Sequence, residues 1–155
     1  MISIEEKIIL LESHTDEATK QMLQNVIKRK LKFDKLQKRL KHVRIATFLL
    51  FALFLIYVTI FIAQPNIDSF GAIITAFINN SLHLYVLLFL FVLYGAVLYL
   101  IKTSDKAEIE FHALRCEIIR KSIELWPQPT QWQKRHHVFE IMQKEYDINL
   151  YHENK

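Results

Sequence analysis

The sequence predicts an all-α chain, a membrane helical hairpin with long helical extensions on the cytosolic side. Three observations carry this reading. There are two long uncharged apolar stretches, an uneven distribution of Lys and Arg around them, and few turn formers, with two Gly and three Pro in 155 residues. One domain is expected, because the polar remainder is too short for a large independent core.

Residues 1–44 are polar and charged, with no early apolar segment, so no secretory signal is expected. Ser3-Ile4-Glu5-Glu6 reads as a capping box opening a short helix, with Ile4, Ile8 and Leu11 on one side. Thr15 and Asp16-Glu17 suit the start of a longer one. Met22, Val26, Phe33, Leu36, Leu40 and Val43 follow a 4-3 spacing, interrupted by Arg29. That is a heptad seam, the pattern of a coiled coil, running directly into the first apolar stretch. A single helix from about Asp16 to Ala63 would project about 40 Å beyond the membrane.

The first span is 45–63, 19 positions without a charge, of which thirteen are Leu, Ile, Val or Phe. At about 1.5 Å per residue it reaches about 28 Å, close to the hydrocarbon thickness. A buried helix of a soluble bundle would need neighbours on every side, and this chain is too short to supply them. The second uncharged stretch, 69–101, is too long for one untilted span. Asn79-Asn80-Ser81 divides it, leaving 82–101 as the second span and 64–81 as an external loop. Within the loop Phe70, Ile73, Ile74, Phe77 and Ile78 form one stripe, the pattern of a short helix lying in the outer interface. The alternative is extra depth for a tilted second span. Ala52 and Gly95-Ala96 fall at matching depths and would allow close approach of the two backbones.

Charge sets the orientation. Nine basic residues lie between Lys28 and Arg44, opposed by Asp34 alone, and the segment 64–81 has no Lys or Arg. Lys102, Lys106, Arg115, Arg120 and Lys121 follow the second span. Positive charge is held on the cytoplasmic side, so the expectation is a two-pass plasma-membrane protein with both termini inside. Lys35, Lys38, Arg39, Lys41 and Arg44 are close enough to the bilayer to attract anionic lipid headgroups. Nucleic acid is not an expected partner, because Phe33 is the one aromatic among these cations.

In 102–155, Ala107, Phe111, Leu114, Ile118 and Leu125 form one apolar stripe. Ile109, Cys116, Ile119, Ile123 and Trp126 form a second beside it, on a helix continuing to Trp126 and ended by Pro127 and Pro129. A face of this width, centred on Phe111, Leu114, Ile118, Ile119, Ile123, Leu125 and Trp126, exceeds a two-helix seam. It predicts an interaction face for a further local helix, a second copy of the chain or another membrane protein. Thr130-Gln131-Trp132-Gln133 opens a last helix with Trp132, His136, Phe139, Met142 and Tyr146 in line. The tail, with Ile148, Leu150 and Tyr151, is apolar enough to dock.

Catalytic patterns are thin. His112 and Cys116 are four apart, as are His136 and Glu140, with His137 nearby. A metal site would need ligands converging from separate helices, so packed or surface histidines are the simpler reading. The lone Cys116 excludes an intrachain disulfide. No GxxxxGK[ST], HExxH or GxSxG motif occurs, and no cofactor is expected. His83 lies near the external end of the second span, where an ionisable residue is a functional candidate.

The stretches Asp16-Glu-Ala-Thr-Lys20, Leu114-Arg-Cys-Glu-Ile-Ile119, Glu124-Leu-Trp-Pro127 and Lys144-Glu-Tyr-Asp-Ile-Asn-Leu-Tyr151 carry a resemblance. Over most of the chain after residue 13, it resembles an uncharacterised family of small two-span membrane proteins of low-GC Gram-positive bacteria, the YpbF-like proteins. The resemblance implies a bacterial plasma membrane and brings no activity or catalytic residue. The leading expectation is a non-enzymatic membrane protein presenting a cytosolic helical interaction surface. The alternatives are a homo-oligomeric transporter or channel-like subunit acting around His83 and Tyr85, and a tethered metalloenzyme using His112, Cys116, His136 and His137.

Overall fold

A computed structural model describes residues 16–127 and 130–152, with the backbone alone at Thr130 and Lys134. The capping box at Ser3 and the stop at Pro129 lie outside the described residues. Every regular element among the described residues is helical: α1 (Glu17–Val58), α2 (Phe70–Ile78), α3 (Ser81–Arg120), α4 (Ser122–Leu125) and α5 (Thr130–Tyr146). Between α1 and α2 run a π turn, Thr59–Ala63, and a 3-10 turn, Gln64–Asn66. The chain forms two compact units, one from residues up to Lys35 and from Ser104 onward, the other from Leu36 to Thr103. They are called here the core unit and the apolar unit.

In the core unit, Leu23, Val26 and Ile27 of α1 join Phe111 and Ile118 of α3, Trp126, and Val138, Phe139 and Met142 of α5 in one buried cluster. The tail residues Ile148 and Leu150 complete it. The buried stripe of α1 is wider than the expected 4-3 seam. Leu23 and Ile27 are sealed while Met22 and Phe33 are half-buried, and Arg29 points out to Glu110 at 3.5 Å. The helix has neighbours on two sides, α3 and the tail, so three or four positions in seven are covered rather than two.

The third helix also stops short of the expected Trp126. It ends at Arg120, Lys121 leaves the helix with ψ near 5°, and α4 is a single turn. The break sends Trp126 into the core, edge-on to Phe139 at 5.5 Å. Burying a large side chain is worth at least about 1.5–3 kcal/mol, which outweighs the ~1 kcal/mol of a backbone hydrogen bond. After α5, Asp147 takes a left-handed conformation (φ 56°), which Asp tolerates better than most residues. Its N–H is accepted by the Gln143 carbonyl, an αL-type stop that turns Ile148 inward.

In the apolar unit, little is buried. Ile62, His83, Leu90, Val97 and Leu100 are covered, whereas Phe48, Leu53, Phe61, Leu88, Phe91 and Tyr99 are exposed. Among the described residues there are two helices long and apolar enough to cross a membrane. Their most apolar stretches are 6% and 17% buried. The second uncharged stretch is divided at Asn79-Asn80, where α2 ends, and the Asn80 side-chain oxygen accepts the N–H of Leu82 at the start of α3. The expected approach at Ala52 and Gly95 does not occur. Gly95 is exposed, and a Cβ placed there would meet nothing within 4 Å, because Leu90 and Val97 form the covered face and Gly95 lies on the other.

Candidate functional site

Three arrangements concentrate the polar and charged side chains that the sequence singled out. The first is an aromatic clasp around His83. Its Nδ1 lies 2.9 Å from the Phe77 carbonyl oxygen, which can only accept, so Nδ1 carries the proton and donates. That leaves Nε2 as acceptor for the Tyr57 hydroxyl at 3.0 Å. The His83 ring stacks on Phe77 at 5.2 Å and tilts toward Tyr57 at 5.6 Å, and Phe54 meets Phe77 edge-on. One side chain therefore ties α1, α2 and α3 together with both ring nitrogens satisfied. Tyr85, the other residue of the transport reading, is 70% exposed and takes no part. Two residues apart on a helix, they lie on different faces.

The second is a basic collar on α1. Lys35, Lys38, Arg39, Lys41 and Arg44 are all exposed, and none has an ion pair among the described residues. The earlier part of the same run behaves differently. Arg29 reaches Glu110, and Lys30 holds Asp34 at 3.1 Å and Asp147 at 3.7 Å while its ammonium sits near the Phe33 and Phe111 rings. Beside the collar, within the apolar unit, an apolar groove of about 510 Å³ runs between α1 and α3. Arg44 lines one end, with Phe48 and Phe51 beyond it, and α3 supplies the other wall from Leu87 to Ile101.

The third is the face too wide for a two-helix seam, and of the covers expected for it the local one is present. Phe111, Ile118 and Trp126 are buried in the chain's own core, and Leu114, Ile119 and Leu125 pack against it. The first segment of α1, α5 and the tail cover the wide face, so most of it is already occupied. Ile123 is the exception at 65% exposed, and Ile109 of the second stripe, earlier on α3, is exposed as well. Cys116, midway between them in sequence, is half-buried. Arg115 is buried and donates to the Asn149 carbonyl, fixing the tail, a role the pattern of apolar residues gave no reason to expect.

The candidate metal ligands stay apart. His112 faces Glu108 at 3.7 Å, and no group of three His, Cys, Asp or Glu side chains converges among the described residues. His136 is exposed rather than packed. It stacks on Tyr151, and its carbonyl accepts the Tyr151 hydroxyl. Val138 takes the buried place that the expected stripe gave to His136. On the surface of α5, the Lys144 ammonium bonded to Glu140 holds that carboxyl below its ordinary range, and Glu140 in turn raises Lys144. Glu117 likewise raises Lys121 through a 2.8 Å contact.

Comparison with known proteins places the chain. A family described as a protein of unknown function (DUF2663) matches residues 22–153. The uncharacterized protein YpbF of Bacillus subtilis (strain 168) is 38% identical over 145 residues, covering 94% of this chain and 95% of that protein. No solved structure matches. The chain belongs to the DUF2663 family, the YpbF-like proteins of low-GC Gram-positive bacteria.

Proposed function

We propose that the chain is a two-pass plasma-membrane protein with both ends in the cytosol, non-enzymatic, whose helical core unit is held at the inner leaflet to engage another protein. The observation that carries this is the contrast in exposure between two stretches of the same helices. Side chains such as Phe48, Leu53, Phe91 and Tyr99 face outward in a chain that elsewhere buries its apolar residues. In water they would form an apolar patch far beyond what a soluble monomer tolerates. In lipid they are solvated. The unpaired cations at one end of the first such stretch supply the inward-facing charge, and the loop 64–81 has none.

The partner-facing surface is narrower than the sequence suggests. It centres on the exposed side chains of Ile109 and Ile123, before and after the half-buried Cys116 in sequence, and a second copy of the chain or another membrane protein would cover them. Topology is tested in intact cells with a membrane-impermeant thiol reagent. Cys116 should be labelled only after permeabilisation, and a cysteine introduced at Ser69 before it. The reverse pattern overturns the orientation. Light scattering in detergent of the full chain and of an Ile123→Asp variant tests self-association. A monomer in both assigns this surface to a different protein.

A further inference from the structure

We propose that the groove between α1 and α3 holds one acyl chain of an anionic phospholipid, with its phosphate on Arg44. This rests on the two-span reading above. The lining of the groove sorts by chemistry along its length. Apart from Arg44 at one end, its walls are dominated by aromatic and aliphatic side chains, and Thr47 commits its hydroxyl to the Val43 carbonyl at 2.8 Å. Arg44 is thus the one charged group lining the groove. It has no hydrogen bond or ion pair among the described residues. On a helix, side chains lean toward the N-terminus, which for α1 is the collar side, so the guanidinium is directed to headgroup level rather than into the hydrocarbon.

Length agrees with one leaflet. Tyr57 of α1 meets His83 of α3, so in this antiparallel pair Arg44 is level with α3 near Ala96, and the wall from there to Leu87 covers about 14 Å at 1.5 Å per residue. Half of a hydrocarbon core of about 30 Å is about 15 Å. An acyl chain entering beside Arg44 therefore has wall along nearly its whole leaflet. A guanidinium presents paired N–H donors to a phosphate. Lys41, one turn away, adds attraction without lining the groove. A second copy of this chain is the poorer occupant, because it would bring its own unpaired collar toward the first.

Single tryptophan reporters test this, with the parent's Trp126 and Trp132 signal subtracted. Phe91→Trp places the reporter in the groove, and Leu49→Trp places it on exposed α1 surface outside it. Each is reconstituted in phosphatidylcholine vesicles containing brominated phosphatidylglycerol or brominated phosphatidylcholine. The Phe91→Trp signal should show a preference of about fivefold for the anionic lipid, the factor expected from one basic residue. Adding Arg44→Gln should abolish that preference, and Arg44→Lys should retain part of it. Leu49→Trp should show none. Equal quenching of Phe91→Trp by both lipids overturns the proposal. So does shielding of Phe91→Trp from both while Leu49→Trp is quenched, which would mean that a protein fills the groove. If neither reporter is quenched by any lipid, the two-span reading fails and takes this proposal with it.

Discussion

Leu23 and Leu49 lie on the same helix, yet one is fully buried and the other 55% exposed. The contrast extends to everything around them. In the core unit, α1 and α3 alternate apolar and charged residues, and the covering side chains come from α5 and the tail. In the apolar unit, the same two helices are apolar on nearly all sides and cover each other along a narrow strip. The difference teaches where stabilisation must originate. The first unit obtains it from its own chain, through burial of side chains worth about 1.5–3 kcal/mol each. The second leaves that area open, and under the two-span reading lipid fills it.

The comparison breaks most sharply at Trp126. Trp126→Ala is expected to destabilise the core unit by about 3–5 kcal/mol, read as lost hydrogen-exchange protection at Ile118 and Phe139 in the full chain in detergent. Protection between Leu84 and Leu100 should be unchanged. A uniform loss through both units would mean that they fold as one. The leucine pair gives a more direct contrast. Leu23→Ala should cost about 2–5 kcal/mol, and Leu49→Ala well under 1 kcal/mol, because no packed neighbour is lost. Urea titration monitored by amide exchange compares them, and equal costs would contradict the division.

Within the apolar unit the clasp should dominate. Tyr57→Phe and His83→Ala are each expected to cost about 1 kcal/mol, with a coupling of about 0.6 kcal/mol in a double-mutant cycle, measured by steric trapping in bicelles. Additive effects would show that the 3.0 Å contact contributes nothing. The smallest effect is at the surface. Glu140 is held below its ordinary value of 4.5, chiefly by its hydrogen bond to Lys144. Its contribution is therefore present above that value and lost as the pH falls through the lowered one. The raised Lys144 works at the opposite limit, where stability is lost only as the pH climbs past the ordinary lysine range. Glu140→Gln should lower the thermal midpoint of the core unit slightly near neutrality and leave it unchanged at low pH, so that the acid-side decline disappears.

Much of this architecture was legible in the sequence, for reasons specific to each part. Two uncharged stretches of bilayer length leave little choice, and Asn79-Asn80 marks the break because Asn favours caps over apolar helix interiors. Other features left no such mark. Lys121 is neither Gly nor Pro, so the end of α3 there follows from what Trp126 gains by turning inward, a tertiary effect. On α1 the spaced residues Met22, Val26, Phe33, Leu36, Leu40 and Val43 are all buried or half-buried. A second seven-residue recurrence runs along α3, where His83, Leu90, Val97, Ser104, Phe111 and Ile118 are all buried. Two polar members conceal it from a hydrophobic pattern. The clasp was half visible: His83 stood out as the ionisable residue of its stretch, but its partners, a tyrosine 26 positions away and a backbone carbonyl, are set by the fold.

The wide turn at Thr59–Ala63 imposes a rule of spacing rather than of composition. It closes through the Gln64 N–H on the Thr59 carbonyl, five residues back, and so holds one residue more than an α-turn. Deleting any one of the five would restore the tighter turn and leave the downstream chain on nearly its present bearing, because the wide turn and an α-turn each make about one revolution. Across related genes, a single-residue deletion should therefore be tolerated at this turn and not in the regular helix before it, while the identities of its apolar residues drift freely.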